Sequence, residues 1–218
     1  MIKHIKNILY AYVLIGFSWA QAGSYDDFFV AIRQNDASAI TALLQRGFDP
    51  NTLDPNGVSG LMMALREDAL RCVQVLIEWP QTDFDLRNAD DESPLMMAAL
   101  KGHLRIVQQL VEKGADVNKP GWAPLHYAAT SGHLEIMAFL LENSAYIDAE
   151  SPNGTTPLMM AAQYGSTAAV KLLIDEGADP TIKNQQGLSA LDFATNGSRP
   201  DAVEILSSLV TATKPKAP

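Results

Sequence analysis

One cysteine, Cys72, stands among 218 residues, so no disulfide can close within the chain and no cluster of thiolates can hold a metal. Histidine is scarce as well: there are four, one of them at position 4, which leaves little material for a histidine metal site. Charged residues make up 19% and aromatic residues 7%. Cations are in deficit, 16 Lys and Arg against 25 Asp and Glu, for a net charge of −9. Without a cationic surplus nothing neutralises a run of phosphates, which argues against a nucleic-acid partner. The acidic balance suits a basic protein partner and plain solubility equally. A hydrophobic content of 47% over this length provides for one continuous core without forcing a second domain.

Acidic residues are missing altogether from the first 22 positions. Lys3, His4 and Lys6 open that stretch, Ile8 to Trp19 is an uncharged, mainly apolar run of twelve, and Ala20-Gln21-Ala22 follows. Positive start, apolar run and small-x-small close are the parts of a secretory signal, with cleavage expected before Gly23. Twelve residues fall short of the roughly 20 that span a bilayer, although an uncleaved anchor is the rival reading. No cysteine follows the run, so lipid attachment is not expected. Cleavage would leave 14 Lys and Arg against 25 Asp and Glu, a charge of −11. The expected location is periplasmic or secreted, with no membrane association after cleavage.

Self-similarity dominates the remainder. Ser93-Pro94-Leu95-Met96-Met97-Ala98-Ala99 returns as Thr156-Pro157-Leu158-Met159-Met160-Ala161-Ala162, and in varied form as Ala123-Pro124-Leu125-His126-Tyr127-Ala128-Ala129. Weaker copies begin at Leu61 and Leu191, and a degenerate one at Phe28. These anchors, 28, 61, 95, 125, 158 and 191, are spaced 33, 34, 30, 33 and 33 apart. A second motif runs in phase: Gly102-His103-Leu104-Arg105-Ile106-Val107 matches Gly132-His133-Leu134-Glu135-Ile136-Met137. In each unit a Ser/Thr-Pro pair or its equivalent opens a short helix. A second helix follows with apolar residues at helical spacing, such as Leu104, Val107, Leu110 and Val111. Gly114 ends it, and Asn56-Gly57 and Asn153-Gly154 mark tight turns between units. One such unit cannot cover its own apolar face; stacking on neighbours does.

These linked motifs resemble the ankyrin repeat over about residues 26–210. The resemblance implies an all-α fold, a solenoid of about six helix-turn-helix repeats with short hairpin turns, preceded by the signal peptide at 1–22. The expected repeats are 24–53, 54–87, 88–118, 119–150, 151–183 and 184–210, with a disordered tail at 211–218. Three departures stand out. The family's histidine after the anchor leucine is present only as His126; Met62, Met96 and Met159 replace it, exchanging polar bracing for adaptable packing. The spacing of 30 shortens the turn at Asn118-Lys119-Pro120-Gly121-Trp122 by three residues, and Trp122 is either a binding anchor beside the gap or a cover folded over it. Both end units are degenerate and read as caps, the last with its helix junction disturbed by Ser198-Arg199-Pro200.

No nucleophile beside a base, paired carboxylates or phosphate-cradling glycine loop is recognisable, so an enzyme is not expected, nor a cofactor or metal. His103 and His133 belong to the Gly-His motif as helix starts, and Cys72 aligns with the core slots Ile106, Ile136 and Ala169. The acidic group Asp83, Asp85, Asp90, Asp91 and Glu92 lacks the alternation of a calcium loop and reads as a solvated turn. In ankyrin-like proteins a partner protein meets the projecting turns and the exposed side of the first helices. Mapped onto this chain, that surface takes Asn56, Val58, Arg66 and Glu67, then Asp90, Glu92, Leu100 and Lys101. It continues with Trp122, Thr130 and Ser131, then Asn153, Gln163 and Tyr164, and ends with Gln185, Gln186 and Leu188. Trp122 and Tyr164 are the expected hot spots. The resemblance therefore implies a monomeric, exported protein-binding module. It would serve as an immunity or inhibitor protein for a toxic enzyme, as an accessory of an envelope stress enzyme such as catalase, or as a secreted host-directed effector.

Overall fold

The computed structural model describes residues 23–212; the expected signal at 1–22 and the residues 213–218 of the expected tail lie outside the described residues. Two compact units divide the chain, one ending at Asp83 and the other beginning at Phe84. The first unit holds α1 (residues 23–33), α2 (Ala37–Gln45), α3 (Gly60–Arg66) and α4 (Leu70–Glu78). The second holds four pairs: α5 (Pro94–Lys101) with α6 (Leu104–Glu112), α7 (Pro124–Ser131) with α8 (Leu134–Glu142), α9 (Pro157–Gln163) with α10 (Thr167–Asp175), and α11 (Ala190–Asn196) with α12 (Pro200–Ala212). The last helix thus runs two residues past the expected boundary at 210. Extended pairing among the described residues is limited to the isolated bridges Leu53–Ser59 and Lys183–Ser189.

The anchors set the packing. In the second unit α5, α7, α9 and α11 form one row of neighbours and α6, α8, α10 and α12 a second, each helix of the first row lying against its own partner in the second. Leu95, Leu125 and Leu158 are at most 1% exposed, and Ala98, Ala128 and Ala161 pack as closely. Each buried leucine contributes roughly 1.5–3 kcal/mol, which a single pair could not collect without a neighbour. Small residues are required where helices meet. A Cβ on Gly165 would stand 2.4 Å from the Ala129 carbonyl oxygen, and one on Gly60 would strike the Phe28 ring at 2.5 Å. Of the expected apolar stripe on α6, Val107 and Leu110 are fully buried, while Leu104 and Val111 are half-buried. Cys72 lies in the core, as do Ile106, Ile136 and Ala169.

Polar groups tie each pair to the next one along the chain. In the first unit the Asn51 side chain accepts from the Asp83 amide at 2.8 Å and donates to the Gln81 carbonyl at 2.8 Å. In the second, Asp85 accepts from the Asp116 amide (2.9 Å), Asn118 from that of Tyr146 (2.8 Å), and Asp148 from that of Asp179 (3.1 Å). These bonds join positions 28 to 32 residues apart, so each repeat fixes the turn of its successor.

The junction between α11 and α12 is regular, contrary to expectation. Arg199 N–H donates to the Ala194 carbonyl just as His103 and His133 donate to Ala98 and Ala128. Ser198 reaches this geometry with φ +54°, the left-handed value that Asn35 and Asp68 adopt at their own junctions and Gly102 and Gly132 adopt in the middle repeats. An L side chain there costs roughly 1 kcal/mol that glycine avoids. Ser198→Gly is therefore expected to raise the unfolding free energy by up to about 1 kcal/mol in chemical denaturation; a decrease would contradict strain at this position.

Candidate functional site

Each first-row helix of the second unit starts with a backbone amide that no carbonyl of its own helix can serve. The residue three positions on supplies the acceptor. Ser93 N–H donates to Met96 Sδ and Thr156 N–H to Met159 Sδ, both at 3.4 Å; Ala123 N–H donates to His126 Nδ1 at 3.1 Å, and Ser189 N–H to Asp192 Oδ2 at 2.7 Å. Methionine therefore keeps the brace in weakened form, where the sequence suggested that bracing was given up for packing. His126 does more than the others. With Nδ1 accepting, Nε2 carries the proton and donates to the Thr155 carbonyl of the next hairpin at 2.9 Å. The ring is fully buried, and that burial holds its pKa below the ordinary histidine value of 6.5.

The projecting turns repeat one device. Asp54, Asn88, Ser151 and Asn184 each donate their backbone N–H to the carbonyl four residues on, and each side chain accepts from the amide of that same residue. At the shortened turn no such closure is present among the described residues. Lys119 fills the gap instead, 3% exposed, with Nζ donating to Asp91 of the preceding turn and to the Pro120 carbonyl. Asp91 is also bound by Arg87 at 3.4 Å, and the Lys119 ammonium beside it holds its carboxyl below the usual range.

The residues expected to meet a partner fall into two sets. Asn56, Asp90, Asn153 and Gln186 are exposed at turns, while Arg66 and Glu67 close α3 and Lys101, Ser131, Gln163 and Tyr164 sit at the C-terminal ends of first-row helices in the second unit. Tyr164 is 56% exposed and Gln163 is half-buried. In the first unit Asn56, Arg66, Glu67 and Val58 share one groove with Asp54 and Met63. In the second, Trp122, Leu100 and Thr130 line another of about 230 Å³ with His126, Tyr127 and Met160. Trp122 is half-buried, edge-on to His126 with centroids 5.2 Å apart, and walls the groove at the end of the short turn. Tyr127 and Met160 were missed from the sequence. Their signal was available, because both stand two residues after the anchor leucine, as do Met63 and Met97.

Titratable groups elsewhere hold structure. Cys72 donates to the Ala31 carbonyl at 3.7 Å, and burial pushes its thiol up to about 11, so it stays un-ionised at neutral pH. His133 precedes α8 with Nε2 3.1 Å from the Leu100 carbonyl, and His103 holds the same place before α6. Among the described residues no group of three or more His, Cys, Asp or Glu is placed to hold a metal ion, and no helix is long and apolar enough to cross a membrane.

Residues 28–120, 61–151 and 145–214 match the family model described as ankyrin repeats (3 copies). The chain is 30% identical over 162 residues to the ankyrin repeat and SAM domain-containing protein 6 of Rattus norvegicus, covering 73% of this chain and 15% of that protein. It is 31% identical over 166 residues to the nuclear factor NF-kappa-B p105 subunit of Gallus gallus, covering 73% and 17%. It therefore spans only about a sixth of these curated relatives. A solved chain matches far more completely, with a TM-score of 0.71, 28% identity, and coverage of 84% of this chain and 97% of the other. That chain belongs to the complex of a predatory endopeptidase from Bdellovibrio bacteriovorus with an immunity protein.

The buried imidazole has a measurable consequence. The unfolded chain protonates His126 near 6.5 while the folded one keeps it neutral, so this contribution is complete above 6.5 and lost as pH falls toward the lower folded value. Between pH 7.5 and 5.5 the melting temperature is expected to fall less steeply in His126→Met, which has the residue of the sibling repeats, than in the parent chain. Parallel declines in the two would contradict the neutral, braced imidazole.

Proposed function

We propose that this chain, which belongs to the ankyrin-repeat family, is an exported inhibitor that covers a toxic or lytic enzyme through the turns and first-row helices of its repeats. Protein–protein interaction is what ankyrin repeats provide. The observation that carries the finer reading is the likeness, over 97% of the matched chain, to a member of an endopeptidase–immunity complex. The surface agrees with that role: it offers grooves and exposed amide, acidic and aromatic side chains at Asn56, Asp90, Asn153 and Tyr164 rather than an enclosing pocket. Export through the first 22 residues, with Gly23 as the new N-terminus and a periplasmic or secreted monomer as the product, supplies the compartment in which a secreted peptidase would need restraint. The chain then contributes a rigid surface, and the chemistry belongs to its partner.

The test joins the chain to the exported endopeptidases of its source organism. One of them is expected to form a 1:1 complex and lose its activity on a peptide substrate. The Trp122→Ala/Tyr164→Ala variant is expected to weaken that complex about tenfold or more. A complex in which the peptidase keeps full activity contradicts inhibition, and an affinity unmoved by the double substitution contradicts the surface.

A further inference from the structure

We propose that the groove between Leu100, Trp122, Tyr127 and Met160 takes one large apolar side chain from a basic segment of the partner, with a Lys or Arg of that segment on Glu92 and Asp90. The inference rests on the protein-binding reading above and names the chemistry of the contact.

Size comes first. A groove of about 230 Å³ is smaller than the roughly 300–1,000 Å³ that encloses a whole small molecule, and its walls are indole, phenol, thioether and aliphatic carbon. One leucine- or phenylalanine-sized side chain matches that space. Met160 and Tyr127 suit such a guest, since a thioether adapts its shape and a phenol gives a rigid face.

Charge gives the groove a direction. At the end nearer the turns, Tyr127 Oη donates to Glu92 Oε1 at 3.0 Å, and Asn88 Nδ2 donates to Glu92 Oε2 at 2.8 Å. Both donors are uncharged, so they orient the Glu92 carboxylate without neutralising it. Its neighbour Asp91 is compensated by Lys119 and Arg87, whereas Asp90 lies exposed at the turn. The Tyr127 hydroxyl, pushed up by burial, is raised further by the negative charge of Glu92, which its hydrogen bond holds against the groove wall, and by that of Asp90 and Asp91. Toward the opposite end, Leu100 passes into Lys101, exposed at the end of α5. A cation beside the guest side chain is thus drawn to the turn end. The shortened turn is what opens this end: three residues that would project there are missing, and Lys119 is drawn inward rather than standing at the surface.

The probes are random dodecapeptides displayed on phage and panned against the full chain, followed by synthetic copies of those enriched. Enriched peptides are expected to carry a large apolar residue with Lys or Arg within three positions. Their binding is expected to change tryptophan emission in the parent chain but not in Trp122→Phe. Glu92→Gln, whose amide oxygen still accepts from Asn88 and whose amide N–H can donate to the Tyr127 hydroxyl oxygen, should lower affinity about three- to tenfold at low salt and less at high salt. Glu92→Lys should shift selection toward acidic flanks, an outcome that loss of folding could not imitate. Enrichment of acidic or uncharged flanks by the parent chain, no enrichment, or affinity indifferent to both Glu92 variants and to Met160→Asp would overturn the assignment. Tight binding that ignores every groove variant would do so while leaving protein binding intact, and peptidase inhibition is read separately.

Discussion

Every first-row helix of the second unit opens on a backbone amide that its own helix cannot serve, buried before α5, α7 and α9 and partly buried before α11, and the rest of the arrangement follows from satisfying it. A buried, unpaired N–H costs about 1–3 kcal/mol, enough to remove much of a small domain's stability. The residue three positions into the helix must therefore turn inward and offer an acceptor, as Met96, His126, Met159 and Asp192 do. With that side chain committed, the next residue on the helix, Tyr127 or Met160, is the one left to line the groove. The brace of His126 to the Thr155 carbonyl extends the same constraint to the following turn. Stability and recognition are in this way assigned to adjacent residues of a single helical turn.

The acidic excess divides along the same line. Asp85 and Asp148 hold the turn amides of the following repeats, and burial raises the Asp148 carboxyl while the Asp179 amide works against that shift. Asp91 joins Arg87 and Lys119 in closing over the short turn. Counting charges along the chain therefore overstates what a partner encounters. Asp90 and Glu92 remain as the negative groups beside the groove, and their effect depends on place rather than number.

Much of this was legible in the sequence. Recurrence of Pro94-Leu95, Pro124-Leu125 and Pro157-Leu158, in phase with Gly-His, identified the helix pairs, because each motif encodes a local event: a proline-started helix and a left-handed junction. The spacing of 30 located the short turn. What escaped was relational. The role of Met96 Sδ as an acceptor depends on a distance within the folded turn, and Ser198 looked disruptive because its left-handed backbone is shared with Asn35 and Asp68 only in three dimensions. Tyr127 shares its slot with Met63, Met97 and Met160, of which Met97 is buried and the others half-buried, and that exposure depends on neighbours the motif does not encode.

Amide hydrogen exchange of the chain alone and bound to its partner tests most directly whether recognition runs through the turns and first-row helices. The account predicts slowed exchange on binding at the turn amides of residues 54–58, 88–92 and 151–155 and around Trp122. Amides of α6, α8 and α10 should be unchanged. Protection confined to those second-row helices would contradict it.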